Sequence, residues 1–489
     1  MPGNLPLDVR RPGTFNYFDD TSGARGQLAA LDRSMAIIAM GDGVASFDTP
    51  IQVGNEAEAD LAAGTGSELA LLARAAFRTF RKAAGAPVRG SAPPLWLVPV
   101  EAPSGGTKRT VTVTFTGPAS AGGEEIVRIA GREIRVLVAD EDSATTIAAA
   151  FKAVCDRRAY ELPVTCAVAA GVATLSYRHK SVNGDDLVVE AVGQPVAGTT
   201  VVVANGVSGA GVADYEDGLA ALLAREYGAI ALANHAAADV VDVGAHLDEA
   251  WAPDVKKYRH VFLGETGTLS TATGLADDTD ANRKELVIVS FEGGWGLPGE
   301  YATAVAAMVQ TKSKPNCNWD NIELPVPPCA DADNYISSEL EAAILGGVTA
   351  LQLTPTGGVK IVRLVTTKAT ENSLPFEPLR DLAVSKTQAY YAKQIDIAMA
   401  RIMSDPERGA DADLDKDLRS AAIEILLKGQ EVRDLHNVEA HLAEVQVYSH
   451  PEAPTRKVAE IPESVVPNCH QLDSTFRLFV EAPLAAAAA

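Results

Sequence analysis

Cysteine is scarce in this chain: five thiols in 489 residues, at positions 155, 166, 317, 329 and 469. None falls in a Cys-x-x-Cys pair, and the spacings are too wide for the disulfide framework of a small secreted fold. An odd count also leaves at least one thiol without an intrachain partner, so reduced and mostly buried thiols are expected. Positive charge is in short supply too, with 42 Lys and Arg against 64 Asp and Glu and a formal charge of -22. That balance argues against nucleic acid as the main partner, because phosphate binding needs a concentrated positive surface. Long apolar runs are missing; none approaches the ~20 residues of a membrane-spanning helix. The opening residues Met-Pro-Gly-Asn-Leu-Pro carry neither a basic stretch nor an apolar core, which predicts synthesis and folding in a cytoplasm. What remains is an ordinary globular balance, 47% hydrophobic and 22% charged. The length fits about three domains.

The pattern changes several times along the chain. Arg10–Asp20 cannot be helix because of Pro12 and Gly13, yet Phe15, Tyr17 and Phe18 favour strand pairing. From Met35 onward, buried-looking strands alternate with helices. Met35–Met40 and Leu95–Val100 flank a helix capped by Ser67, with Leu69, Leu72, Ala73, Ala76, Phe77 and Phe80 along its face. The alternation resumes near Asp214 with strands at Ala229–Ala233, His260–Leu263 and Leu286–Phe291, and helices between them. Such spacing predicts a doubly wound α/β domain, a parallel sheet with helices on both faces.

Between the two halves lies different material. Thr110–Thr116 alternates threonine with Val111, Val113 and Phe115, as a half-buried antiparallel strand does. More short strands follow, with one helix near Ser143–Cys155, and glycine-rich stretches at Pro103–Gly106 and Gly206–Gly211 read as flexible joints. After Pro328 come strands at Leu351–Thr354 and Lys360–Thr366, and two long helices at Pro378–Met403 and Asp413–Arg433. The last alternating segment is Ser474–Val480.

Chemistry-bearing motifs are weak. Gly41-Asp42-Gly43 after the first strand lacks the third glycine and the helix start of a dinucleotide loop. Gly64-Thr-Gly-Ser67 opens a helix without the lysine of a phosphate loop. No Gly-x-Ser-x-Gly elbow or His-Glu-x-x-His occurs. His235 follows a strand end with Asp239 and Asp242 nearby, a place where α/β enzymes put catalytic groups, but no residue has the context of an activated nucleophile. Trp295, in Gly293–Gly299, reads as an aromatic packed at a turn. No catalytic, cofactor or metal residue is predicted.

Several segments together resemble the tail sheath proteins of contractile bacteriophages, the Mu-like branch in particular. They are Arg11–Phe18, Gly64–Phe77 with Leu95–Val100, Thr110–Gly123 with Tyr177–Val189, and Val359–Lys368 with Pro378–Tyr390. The resemblance implies a subtilisin-like α/β core without a catalytic triad, not an enzyme. It places an N-terminal arm at 1–22, a discontinuous α/β domain at 23–105 and 210–345, and an inserted β-rich outer domain at 106–209. An α+β C-terminal domain follows at 346–465, then a C-terminal arm at 466–489.

The same resemblance implies stacked rings of this chain around a tail tube, with baseplate and tail terminator proteins as further partners, without nucleic acid or membrane insertion. The sheath would be assembled in the host cytoplasm and carried in the virion. The arm strands would be Thr14, Phe15, Asn16, Tyr17 and Phe18 at one end and Thr475, Phe476, Arg477, Leu478, Phe479 and Val480 at the other, each added to a neighbour's sheet. Tube contacts would fall on Lys386, Lys393 and Arg401. Cys317, Cys329 or Cys469 would supply an inter-subunit disulfide. The sheath of a related injection machine and a subtilisin-fold hydrolase are the competing readings.

Overall fold

A computed structural model of the chain describes residues 28–470, apart from 44–45, 85–92, 279–280, 372–373, 406–408, 410–411, 451–452 and 469. Both expected arm strands, Thr14–Phe18 and Thr475–Val480, therefore lie outside the described residues, as does Cys469.

Strand β1 (Met35–Met40) is buried on both faces, which is why it reads as an unbroken apolar run. The chain then forms β2 (Ile51–Val53), α1 (Glu56–Ala63) and α2 (Glu68–Ala84) and returns as β3 (Leu95–Val100), parallel to β1. Ser67 caps α2, its Oγ accepting from the Ala70 amide at 3.1 Å. Three-residue β2 is too short for periodicity to reveal, and α1 mixes alanine with acids on every side. Neither was expected.

The insertion follows as β4 (Thr110–Phe115), β5 (Gly123–Ile129), β6 (Arg132–Val138), α3 (Ala144–Arg157), β7 (Val164–Ala169) and β8 (Val172–Tyr177). After a 3-10 turn at Val182–Asp186 come β9 (Val189–Val192) and β10 (Val201–Asn205). They form two antiparallel sheets, ordered β10-β4-β8-β7 and β6-β5-β9. A core of its own, built on Val111, Val113, Phe115, Phe151 and Leu175, fills the space between them and α3.

The core resumes with α4 (Glu216–Leu222), β11 (Ala229–Leu232), α5 (Ala237–Ala250), β12 (His260–Glu265), α6 (Leu269–Ala276), β13 (Leu286–Ser290) and α7 (Pro298–Gln310). Then come β14 (Glu323–Leu324), α8 (Ser337–Leu345), β15 (Val348–Leu353) and β16 (Val359–Ile361). The nine-stranded sheet runs β14-β16-β15-β13-β12-β11-β1-β3-β2, parallel from β3 to β15 and antiparallel at its edges. Helices α2 and α7 cover one face, and α4, α5, α6 and α8 the other. This corrects the expected boundary at 346. β15 and β16 belong to the central sheet, because Val348–Leu351 is buried throughout and pairs in parallel with β13.

The C-terminal region proper starts later. A small hairpin, β17 (Thr370–Glu371) and β18 (Leu374–Pro375), precedes α9 (Leu382–Met403), α10 (Ala412–Glu431) and α11 (Val438–His441). The final hairpin is β19 (Gln446–His450) with β20 (Ala453–Glu460). Tyr391, Ile395, Ala422, Leu426 and Leu435 pack α9 on α10. No helix among the described residues is long and apolar enough to cross a membrane.

Candidate functional site

The crevice at the strand ends is where an α/β domain of this kind would hold a ligand. β1 has β3 on one side and β11 on the other, so strand order reverses there. The insertion fills that crevice. Asn183, on its 3-10 turn, donates from Nδ2 to Asn234 Oδ1 at 2.6 Å and to Glu68 Oε1 at 3.1 Å. Tyr215 and Tyr177 donate their hydroxyls to the same two acceptors, at 3.0 and 3.3 Å. Burial pushes the Glu68 carboxyl up to about 7 and that of Asp186 to about 6.

His235 Nε2 lies 3.9 Å from Asp186 and 3.8 Å from Glu265. Asp239 accepts from Asn234 Nδ2 at 3.1 Å and the Ala236 amide at 2.9 Å. Asp242 stands exposed on α5. The cavity left over, about 120 Å³, is lined by Val182, Asn183, Asp186, Val212, Asn234, His235, Ala236 and Asp239, none of which carries a hydroxyl or thiol. The arrangement is an amide–carboxylate seam that joins two parts of the chain.

A second seam lies beside the first, where the Ala130 amide donates to Val188 O at 2.9 Å just past the 3-10 turn. The β5–β6 turn, Ala130-Gly131, has positive φ at both residues and presses on the core; a Cβ on Gly131 would come within 2.4 Å of Pro327. Arg132, next in sequence, forms a bidentate pair with Glu300 at the start of α7, both side chains almost fully buried. Arg128 lays its guanidinium 3.5 Å over the Trp295 ring, which gives that glycine-framed tryptophan a partner. The joints expected to be flexible are zipped to each other instead. Thr107 and Ala210 exchange both backbone hydrogen bonds, and Gly209 N donates to Asp185. Adjacent antiparallel chain ends satisfy each other's amides, which glycine content alone does not reveal.

Helix α9 gathers both ends of the described chain. At the amino end, Ala29 N donates to Gln394 Oε1 at 2.7 Å, and Tyr390 donates its hydroxyl to Ala29 O at 2.8 Å. At the carboxyl end, His470 turns one ring nitrogen to Asp320 at 2.5 Å and the other to Asp381, the residue that opens α9, at 3.0 Å. Arg363 holds that same Asp381 carboxylate from the other side at 2.9 and 3.1 Å. The preceding stretch is tied down as well: Asn316 donates to Val466 O, Asn468 to Cys317 O, and His436 N to Ser464 O. Glu463 is half-buried there, and desolvation pushes its carboxyl up to about 7 against the opposing charge of Lys284. None of these anchors was legible beforehand. They join residues separated by up to 365 positions, and no local pattern marks them.

The proposed tube-contact residues divide. Lys386 is a correction: it is 4% exposed and donates to Gln310 Oε1 at 3.0 Å, and burial pushes it down to about 8. The helical stripe that carries it faces the core. Lys393 pairs with Glu226, and Arg401 is exposed in the last turn of α9. Among the cysteines, Cys329 is also a correction, since at 3% exposure inside the core it cannot bridge to another subunit. Cys317 is half-buried and its thiol donates to Lys314 O. Sequence spacing missed the meeting of Cys155 on α3 with Cys166 on β7, whose mutual hydrogen bond raises the first thiol and lowers the second.

Comparison with known proteins bears on the fold. No family model matches the chain. A Mu-like prophage FluMu tail sheath protein of Haemophilus influenzae is 28% identical over 185 residues, 38% of this chain and 36% of that protein. The aligned part thus spans little more than a third of the relative's length. The structure of a sheath tail protein from Listeria innocua superposes over 90% of this chain and 93% of its own, with a TM-score of 0.53 at 12% identity. The helical sheath of the anti-feeding prophage in its contracted state superposes over 95% of this chain and 98% of its own, with a TM-score of 0.50 at 9% identity. The likeness of sequence and the likeness of fold meet on one group of proteins, and the fold of this chain, a mixed α/β architecture, is that of the sheath tail proteins.

Proposed function

We propose that this chain is the structural subunit of a contractile tail sheath, polymerising as stacked helical rings around a tail tube. The single observation that carries the reading is the whole-chain likeness of fold to sheath tail proteins, over 90% of this chain. The anchoring of both ends on one helix supports it, since arms that tie subunits together must leave from a firm base. The core is of the subtilisin kind in this reading, and its strand-end crevice is used for docking the insertion, not for catalysis. Thr14–Phe18 and Thr475–Val480 add as strands to neighbouring copies. Tail tube, baseplate and terminator proteins complete the partners, in a virion assembled in the host cytoplasm.

A second reading, the sheath of a phage-related injection system, draws on the likeness to the anti-feeding prophage sheath. Capsid genes beside the coding sequence separate the two. Negative-stain microscopy of the purified chain tests the subunit reading itself. Hollow tubes of uniform width are expected. Particles that stay monomeric at high concentration and in crowding agent would refute it.

A further inference from the structure

We infer that the outward face of the β10-β4-β8-β7 sheet is a contact surface for a neighbouring copy of this chain. The inference rests on the polymer reading above and adds a surface to it. None of the residues in these four strands is Asp, Glu, Lys, Arg or His. This is unusual in a chain of formal charge -22, and the other sheet of the same insertion carries Glu124, Arg128, Glu133, Arg135 and Glu190, tied in ion pairs. The strand register shows what stands outward: the central row reads Ala204, Thr112, Thr174, Ala167 across the four strands. Inward positions of β4, β8 and the start of β7 are buried in the insertion's core.

Three features suit this face to a like-charged copy. Across these four strands an acidic copy meets no charged side chain. Its hydroxyls are partly satisfied within the sheet, so less hydration is lost on covering them: Thr116 bonds Thr200 at 2.8 Å, Thr112 donates to Ala204 O, and Thr110 accepts from the Val207 amide. Its edge strand β7, Val-Thr-Cys-Ala-Val-Ala, has no charged or proline residue of the kind that guards an exposed edge. The size fits an array better than a dimer. Four strands about 4.8 Å apart and about five residues long at about 3.3 Å each give a face of roughly 300 Å². That is well under the about 800 Å² per partner of a stable pair. Such a contact holds only when other links keep copies side by side.

The sign of an introduced charge provides the test. Thr112→Glu with Thr174→Glu adds acid to the face, and Thr112→Lys with Thr174→Lys adds base; circular dichroism and melting check that both variants fold as the parent does. With an acidic copy as the occupant, the Glu pair raises the critical concentration for tube assembly about tenfold at low salt, and added salt restores it. The Lys pair leaves assembly at or below the parent's critical concentration. Equal impairment by both pairs, or no effect of either, overturns the assignment while leaving the sheath reading intact. Failure of the parent chain to form tubes refutes the sheath reading, and this contact with it.

Discussion

Replacing Arg132 with methionine would test whether the insertion and the core form one body. Arg132 and Glu300 are 7% and 1% exposed, so removing the arginine leaves a carboxylate in the interior with no countercharge. Removing one partner of a buried pair costs about 3–5 kcal/mol, whereas replacing both with apolar residues of similar size is close to neutral. The expected order of stability is therefore parent and Arg132→Met/Glu300→Met together, with each single variant below them. The loss should be local. Hydrogen exchange at Val127–Val138 and around Asn183 should rise in the single variants, and denaturant unfolding should gain an early phase. The core strands β1 and β11, held by their own packing, should exchange as before. If Arg132→Met left exchange in the insertion unchanged and moved stability by less than about 0.5 kcal/mol, the pair would not be what holds the insertion down. The zipped joints and the Asn183 seam would then have to account for its position.

Three further outcomes are expected. Glu463 is half-buried and desolvation raises its carboxyl to about 7, so the docked carboxyl end favours the protonated form. Its contribution is fully present below the ordinary pKa near 4.5 and is lost as pH rises through about 7. Protease protection of residues 461–468 should fall across that window, and Glu463→Gln should abolish the dependence. His470→Ala removes two hydrogen bonds to carboxylates, each worth about 1.5–3 kcal/mol. Because the bonds hold only the carboxyl-terminal stretch, the loss should be local: hydrogen exchange and protease cleavage at residues 461–468 should rise more than the melting temperature falls, and tube assembly should weaken; a variant that assembles normally would exclude His470 as an anchor. Lys386→Met removes a buried charge that packs on Gln310, and the monomer should be as stable as the parent or more so at neutral pH, with tube binding unchanged. Loss of tube binding in a folded Lys386→Met protein would restore that lysine as a contact residue.

Much of the fold was legible because the physics that writes it is local. Six apolar residues from Met35 can only be a strand covered on both faces, and the threonine alternation from Thr110 can only be a strand covered on one. Ser67 announces its helix as a cap. Legibility ended where the deciding partner was distant in sequence. Nothing near Val348 says that it pairs with Ile288, so the central sheet was cut short by two strands. Lys386 was expected as a tube contact, but Gln310 and the core close over it. The glycines at the insertion's joints looked loose because the hydrogen bonds that fix them cross from one joint to the other. The anchors on α9 are of the same kind.

Those anchors bear on how force would pass through a subunit. Asp381, which caps α9, and Tyr390, which receive the two ends of the described chain, are nine residues apart, about 13 Å along a helix with a 1.5 Å rise. A helix packed on α10 and pinned at its start by Arg363 is stiff over that distance. The two ends of the described chain therefore keep a constant separation. On the sheath reading, a neighbour that pulls one arm moves the whole body, insertion included, because two seams lock the insertion to the core. The shape change of the assembly then has to occur between subunits, not inside them. Cross-linking Lys393 to Glu226 makes this measurable, since the bond joins α9 to the loop before β11 within one subunit. Tubes built from the cross-linked chain should shorten and widen as freely as uncross-linked ones. If the cross-link blocked that transition without blocking assembly, α9 would have to move against the core, and the rigid-body account would be wrong.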